Sequence, residues 1–277
     1  MFPSLWTKLL LKSKLSLRKS FMRIDMKKAF QSILLGTGSK VRVAVIDSGV
    51  NPQFPALRGR TGRVIDCSHG PKGLLLDDLP AGSNSDRTGH GSLVQSCLVS
   101  VSPEAQVDHF RVLDENNVTD SSLLCYVLDY AIDQKYNVIN VSLGTSSEHH
   151  LPWLVSLMKR AYESNVVVVA ACSNVGNWLY PATFTYCVSV NAMPATHAMQ
   201  VRFHPGSVVE FSGLGVNVPI AGPSDQSIFV TGSSYAAAHI SGLCARILEI
   251  RPDSSPLDVK LILREYAISM GGGSQVA

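Results

Sequence analysis

Three residues of this chain are of the types that build an activated nucleophile. Asp47 follows the apolar run VRVAVI and precedes Ser48-Gly49. His90 stands between two glycines in RTGHGSLV, and Ser234 lies in TGSSYAAAHISG. A serine hydroxyl is a weak nucleophile. It needs a base within hydrogen-bond reach, and the base needs an acid that fixes its tautomer. Each motif alone has a plainer reading: Asp-Ser-Gly and Gly-His-Gly are common turns, and a serine often caps a helix. Together, in the order Asp, His, Ser with separations of 43 and 144 residues, they make one of the known orders of a serine triad. Ser234 has a further advantage at the start of a helix. Free backbone N–H groups and the helix dipole favour negative charge developing on an attacked carbonyl.

Such residues must be held by regular elements. Apolar runs predict strands over 41–46, 107–113, 138–143, 166–171 and 187–191. Helical spacing predicts helices over 88–101, 121–135, 151–163, 234–250 and 256–266. In the second of these Leu124, Val127, Leu128 and Ala131 share one face, with Asp120 or Ser121 as its cap. Strands alternating with helices predict an α/β, three-layer fold: a mostly parallel central sheet with helices on both faces. Near-continuous apolar strands such as VVVVAA fit burial on both sides. Functional groups then belong beyond the C-terminal ends of the strands. Asp47 and His90 fall next to such ends or to helix starts, and so does Ser234.

Five segments resemble the subtilisin-like serine peptidase family (subtilases, peptidase family S8) from about residue 40 to 266. VRVAVIDSGVN is similar to its aspartate segment and RTGHGSLV to its Gly-His-Gly-Thr segment. VINVSLG resembles its substrate-pairing strand, VVVVAACSNVG its oxyanion-Asn segment, and TGSSYAAAHISG its nucleophile segment. The resemblance implies a subtilisin-like fold and a serine endopeptidase, a hydrolase working through an acyl-enzyme on Ser234. Asp47, His90 and Ser234 are then the catalytic residues, with Asn174 and the Ser234 N–H as oxyanion donors. Ser142, Leu143 and Gly144 become the edge that pairs with an extended protein or peptide substrate. Tyr180-Pro181-Ala182 is expected to shape a pocket wall. A peptide transferase or macrocyclase would use the same triad, and a non-catalytic relative would bind peptide in the same groove. The chain departs from the family pattern at Ser92, Ser233, Ala238 and Ser173. Ser173 matters most, because a glycine usually precedes the oxyanion Asn, and a side chain there can narrow the pocket or displace Asn174.

Composition bounds the rest. The chain has 277 residues, 45% hydrophobic and 16% charged, with a net charge of +3. That balance fits a folded domain with a sizeable core. The charge is unevenly placed: residues 1–40 carry nine Lys or Arg and one acid, and the other 237 carry fifteen and twenty. Residues 1–39 therefore read as a basic extension of amphipathic helices, able to touch a membrane surface, and residues 40–277 as the peptidase domain. The extension is shorter than an independently folding pro-domain. Nucleic acid is not expected as a partner. The six cysteines form no C-x-x-C pair and no zinc pattern, which favours a reducing compartment. With lysines interrupting the apolar N-terminus and no clean signal peptide, a cytoplasmic location is expected. No cofactor is called for. Calcium sites in the family are built from loops, and Asp77, Asp78 and Asp86 are the acids that would serve. His239 is expected to be a packing histidine.

Overall fold

The structure is a computed structural model that describes residues 26–71, 73–176, 179–224 and 226–271. The chain divides into two compact units, residues 1–35 and residues 36–277. In the first, helix α1 spans Met26–Leu35. This agrees with the amphipathic reading over those residues; the rest of the basic extension lies outside the described residues.

Among the described residues, the second unit is built on nine strands of one sheet. They are β1 (Arg42–Asp47), β2 (Val64–Gly70), β3 (Gly73–Asp78), β4 (Gln106–Arg111), β5 (Val138–Val141), β6 (Val167–Ala171), β7 (Val188–Met193), β8 (Val201–Phe203) and β9 (Phe211–Leu214). Their order is β3-β2-β4-β1-β5-β6-β7-β9-β8. The interior pairs are parallel, and only β3 and β8 at the edges run antiparallel to their neighbours. A separate hairpin joins β10 (Val218–Ala221) to β11 (Ser227–Val230). The helices are α2 (His90–Val101), α3 (Ser121–Asp133), α4 (Leu151–Glu163), α5 (Ser233–Ile250) and α6 (Pro256–Ser269).

The expected α/β three-layer fold is present. Helices α3 and α4 cover one face, burying Ala44, Ile46, Ile139, Val141, Val168 and Ala170 against Leu124, Leu128, Leu154 and Met158. Helices α2 and α5 pack on each other and on the opposite face. Side chains alternate along a strand, so Asp47 shares the α2/α5 side with Val43 and Val45. Asn140, paired with Val45, lies there too and accepts a hydrogen bond from Ser241 of α5 (2.9 Å). Every residue of β6 is buried, as a central parallel strand requires.

Most expected elements appear with ends moved by a residue or two. Asp120 is the cap of α3: its carboxylate accepts from the N–H groups of Ser122 (2.7 Å) and Leu123 (3.3 Å). Strand β5 stops at Val141 instead of reaching residue 143. Its neighbours pair with it only to that point, so the next residues leave the ladder. Among the described residues no helix is long and apolar enough to cross a membrane.

Candidate active site

Asp47 ends β1 and is fully buried. Its Oδ1 accepts from the N–H of Ser48 (2.7 Å) and lies 2.8 Å from His90 Nδ1. A carboxylate can only accept, so His90 carries its proton on Nδ1 and presents the Nε2 lone pair. His90 is the first residue of α2, following Gly89 in the left-handed region (φ 85°). Gly91 is required by close packing: a Cβ there would stand 2.1 Å from the Gly49 carbonyl oxygen. The turn after Asp47 and the start of α2 are thus pressed together. The negative charge of Asp47 raises the His90 pKa above its ordinary 6.5; burial opposes this, and Asp86 adds a smaller push upward.

Ser234 is the second residue of α5, whose first N–H groups have no intrahelical partner. Its Oγ donates to the carbonyl of Ser142 (3.0 Å). Asn174 lies on an exposed turn after β6, and its Oδ1 accepts from the N–H of Ser233 (2.8 Å). Since Oδ1 is taken by a donor, Nδ2 remains the free donor of that side chain. The site therefore gathers a base with a set tautomer, a hydroxyl at a helix start and an amide donor beside it. Such a set can perform acyl transfer.

Ser142, Leu143 and Gly144 follow β5 past the end of the ladder. Among the described residues neither Leu143 nor Gly144 makes a backbone hydrogen bond. Thr145 then bridges to Tyr180, with N–H to carbonyl distances of 3.0 and 2.9 Å. Gly144 leaves no room for a side chain, because a Cβ would lie 2.9 Å from the Tyr180 carbonyl oxygen. An open backbone edge three residues long runs from the serine to this bridge.

The subtilase family model matches residues 38–274. The chain belongs to the subtilase family. Among its relatives are the minor extracellular protease Epr of Bacillus subtilis (27% identical, over 90% of this chain and 38% of that protein). Subtilisin amylosacchariticus, from a subspecies of the same bacterium, is 28% identical over 85% of this chain and 62% of its own. The chain thus spans well under two thirds of the first of these relatives and somewhat under two thirds of the second. Of solved structures, Sphericase is similar with a TM-score of 0.68 at 23% identity, over 86% of this chain and 88% of that one. A cold-adapted subtilisin-like serine proteinase is similar with a TM-score of 0.65.

In this subtilase Ser173 does not disturb Asn174. Its φ is not positive, and its Oγ accepts from the N–H of Val175 (3.1 Å) while Asn174 stays bound to Ser233. The three acids named for calcium do not come together. Asp78 pairs with Arg63 (2.9 Å) on the β2–β3 side, Asp77 stands opposite Asp66, and Asp86 is surrounded by N–H and O–H donors near His90. They do not fit a shared ion site, because both oxygens of Asp86 already face protons. His239 packs as expected: it is buried, donates to the Leu214 carbonyl (2.9 Å), and burial pushes its pKa down to about 4.

Sequence reasoning does not reach two neighbours of the site. Tyr235, next after Ser234, is 8% exposed and sets its ring 5.6 Å from that of His90. Its position beside the serine was the available signal. Asn140 supports the start of the open edge, donating through Nδ2 to Ser142 Oγ (2.7 Å). It stands in an apolar strand run, where a lone Asn signals a buried polar contact.

Proposed function

We propose that this chain is a serine endopeptidase that cleaves extended protein or peptide segments through an acyl-enzyme on Ser234. The observation that carries the reading is the Asp47–His90 contact of 2.8 Å, which leaves Nε2 to act as the base, with the ring of Tyr235, the residue after Ser234, 5.6 Å from that of His90. Family membership and protease-named relatives support the same chemistry.

At rest the Ser234 proton is turned to the Ser142 carbonyl. A substrate lying along Ser142–Gly144 would offer its own backbone N–H to that carbonyl. The serine hydroxyl, displaced, rotates about χ1 toward His90, which takes its proton as the oxygen attacks. Asn174 Nδ2 and the Ser234 N–H then receive the charge on the carbonyl oxygen. His90 returns the proton to the leaving amine, and water resolves the ester. We also propose a cytoplasmic location, supported by six cysteines that are all unpaired.

The test is labelling by a fluorophosphonate probe between pH 6 and 9, wild type beside Ser234→Ala. Labelling lost only in the variant is expected. A folded wild type that never labels would overturn the reading. Product mass separates the outcomes further: hydrolysis adds one water across the cleaved bond, and cyclisation adds none.

A further inference from the structure

We propose that Asp86 is a positioning residue for the Asp47–His90 pair, tying the turn after Asp47 to the first turn of the helix that carries His90. The inference rests on the peptidase reading of the site.

Five donors converge on this one carboxylate. Oδ1 accepts from Ser48 Oγ (2.7 Å), Gly89 N–H (2.9 Å) and Thr88 N–H (3.2 Å). Oδ2 accepts from Ser92 N–H (2.8 Å) and Ser92 Oγ (2.5 Å). The two hydroxyls are themselves fixed from behind. Ser48 Oγ accepts from the N–H of Gly91 (3.0 Å), and Ser92 Oγ from the N–H of Asn51 (2.7 Å). Each hydroxyl oxygen is occupied by an N–H and turns its proton to the carboxylate. Asp86 therefore links residues 48 and 51, just after the acid, to residues 88–92, which bracket the base.

Helix α2 explains why this carboxylate is needed. Its N-cap is Gly89, which has no side chain to satisfy the first N–H groups. Asp86 reaches in from three residues upstream and accepts from Gly89 and Ser92 in its place, with the charge at the favourable end of the helix. Removing it would free both the helix start and the Ser48 turn.

The charge also has no countercharge. Among the described residues Asp86 forms no ion pair, and the adjacent Arg87 turns to Asp66 (3.6 Å) and to the Leu113 carbonyl (3.4 Å). The groups that face His90 are Asp47 from β1, Asp86 from the preceding loop and Tyr235 from α5. Asp47 contributes most of the upward shift of the His90 pKa and Asp86 a smaller part in the same direction. A positioning carboxylate of this kind acts twice, by geometry and by field.

The experiment compares wild type, Asp86→Asn and the double variant Ser48→Ala/Ser92→Ala. It follows the His90 ring by NMR titration without substrate, and kcat and KM against pH. In Asp86→Asn the His90 pKa is expected to fall by a few tenths of a unit, and kcat to fall about tenfold or more with KM little changed. The serine double variant keeps the charge, so it should lose kcat with no fall in pKa. Circular dichroism establishes folding. A folded Asp86→Asn with an unmoved His90 pKa and kcat within about twofold overturns the proposal. If Asp86→Asn does not fold, an unchanged kcat in the double variant overturns it. A wild type inactive on every peptide, with the pKa shift present, would instead count against the peptidase reading alone.

Discussion

Around Asp47 and His90 hydrogen bonds tie a turn to a helix start, with Asp47 Oδ2 left unpartnered among the described residues, whereas Ser234 and Asn174 each hold one bond, through Oγ and Oδ1, and Asn174 Nδ2 makes none among the described residues. On the acid–base side, Ser48, Asp86, Gly91 and Ser92 are hydrogen-bonded into one network. On the nucleophile side, Ser234 holds a carbonyl that a substrate would also claim, and Asn174 sits on an exposed turn with Nδ2 free. The difference fits a division of labour. A base must be pre-set, because its tautomer and pKa determine whether a proton can move. A nucleophile gains from being released only when the substrate backbone arrives.

The contrast can be broken from either side. The largest expected effect in this set is Asn174→Ala, which should lower kcat by about 10²–10³ with KM nearly unchanged, a scale known from subtilisin itself. Steady-state kinetics check it. A loss confined to KM would show that Asn174 binds the ground state instead, and the nucleophile side would then be pre-set as well.

Tyr235 sharpens the comparison because it is joined to Ser234 yet lies against His90. The face of an aromatic ring favours a neighbouring cation, so the ring should stabilise the imidazolium that forms during proton transfer. On the proposed mechanism, activity needs neutral His90. With the pKa raised above 6.5, kcat/KM should climb with pH through an acidic limb above that value. Replacing Tyr235 by Met should move the limb downward by about half a unit and cost kcat several-fold, whereas Phe should change neither much. The pH profile of kcat/KM decides it: equal limbs in all three proteins would reduce Tyr235 to packing.

The smallest effect is a control outside the site. Asp120 caps α3 with two N–H bonds and no chemistry. Asp120→Ala should cost about 1 kcal/mol of stability in urea unfolding, with kcat/KM essentially unchanged. A large loss of activity there would mean that the neighbourhood of α3 takes part in substrate binding.

The sequence shows the centre of the molecule better than its margins. β6 and α4 are legible because their patterns are strong: five buried residues in a row, and a helical stripe of Leu154, Leu157, Met158 and Ala161. The short strands β8 to β11 have three or four residues each, too few for a period to declare itself. The β2–β3 hairpin is hidden because β3 is an edge strand with no fully buried residue. Asp47, His90 and Ser234 stand out through flanking glycines and strand ends. Asp86 does not, because its partners Ser48 and Ser92 come from two separate segments, and among Asp77, Asp78 and Asp86 it looks like one more surface acid. Only folding distinguishes a carboxylate that meets Arg63 from one that meets five N–H and O–H groups.

The site draws on both ends of the peptidase unit, since Asp47 lies on its first strand and Ser234 begins its penultimate helix. During synthesis the acid and base emerge first and the serine 144 residues after the histidine. On the proposed reading, a growing chain on the ribosome holds a base with nothing to activate until all nine described strands of the sheet have been translated. The order of the motifs leaves the unfinished chain, on that reading, without its nucleophile.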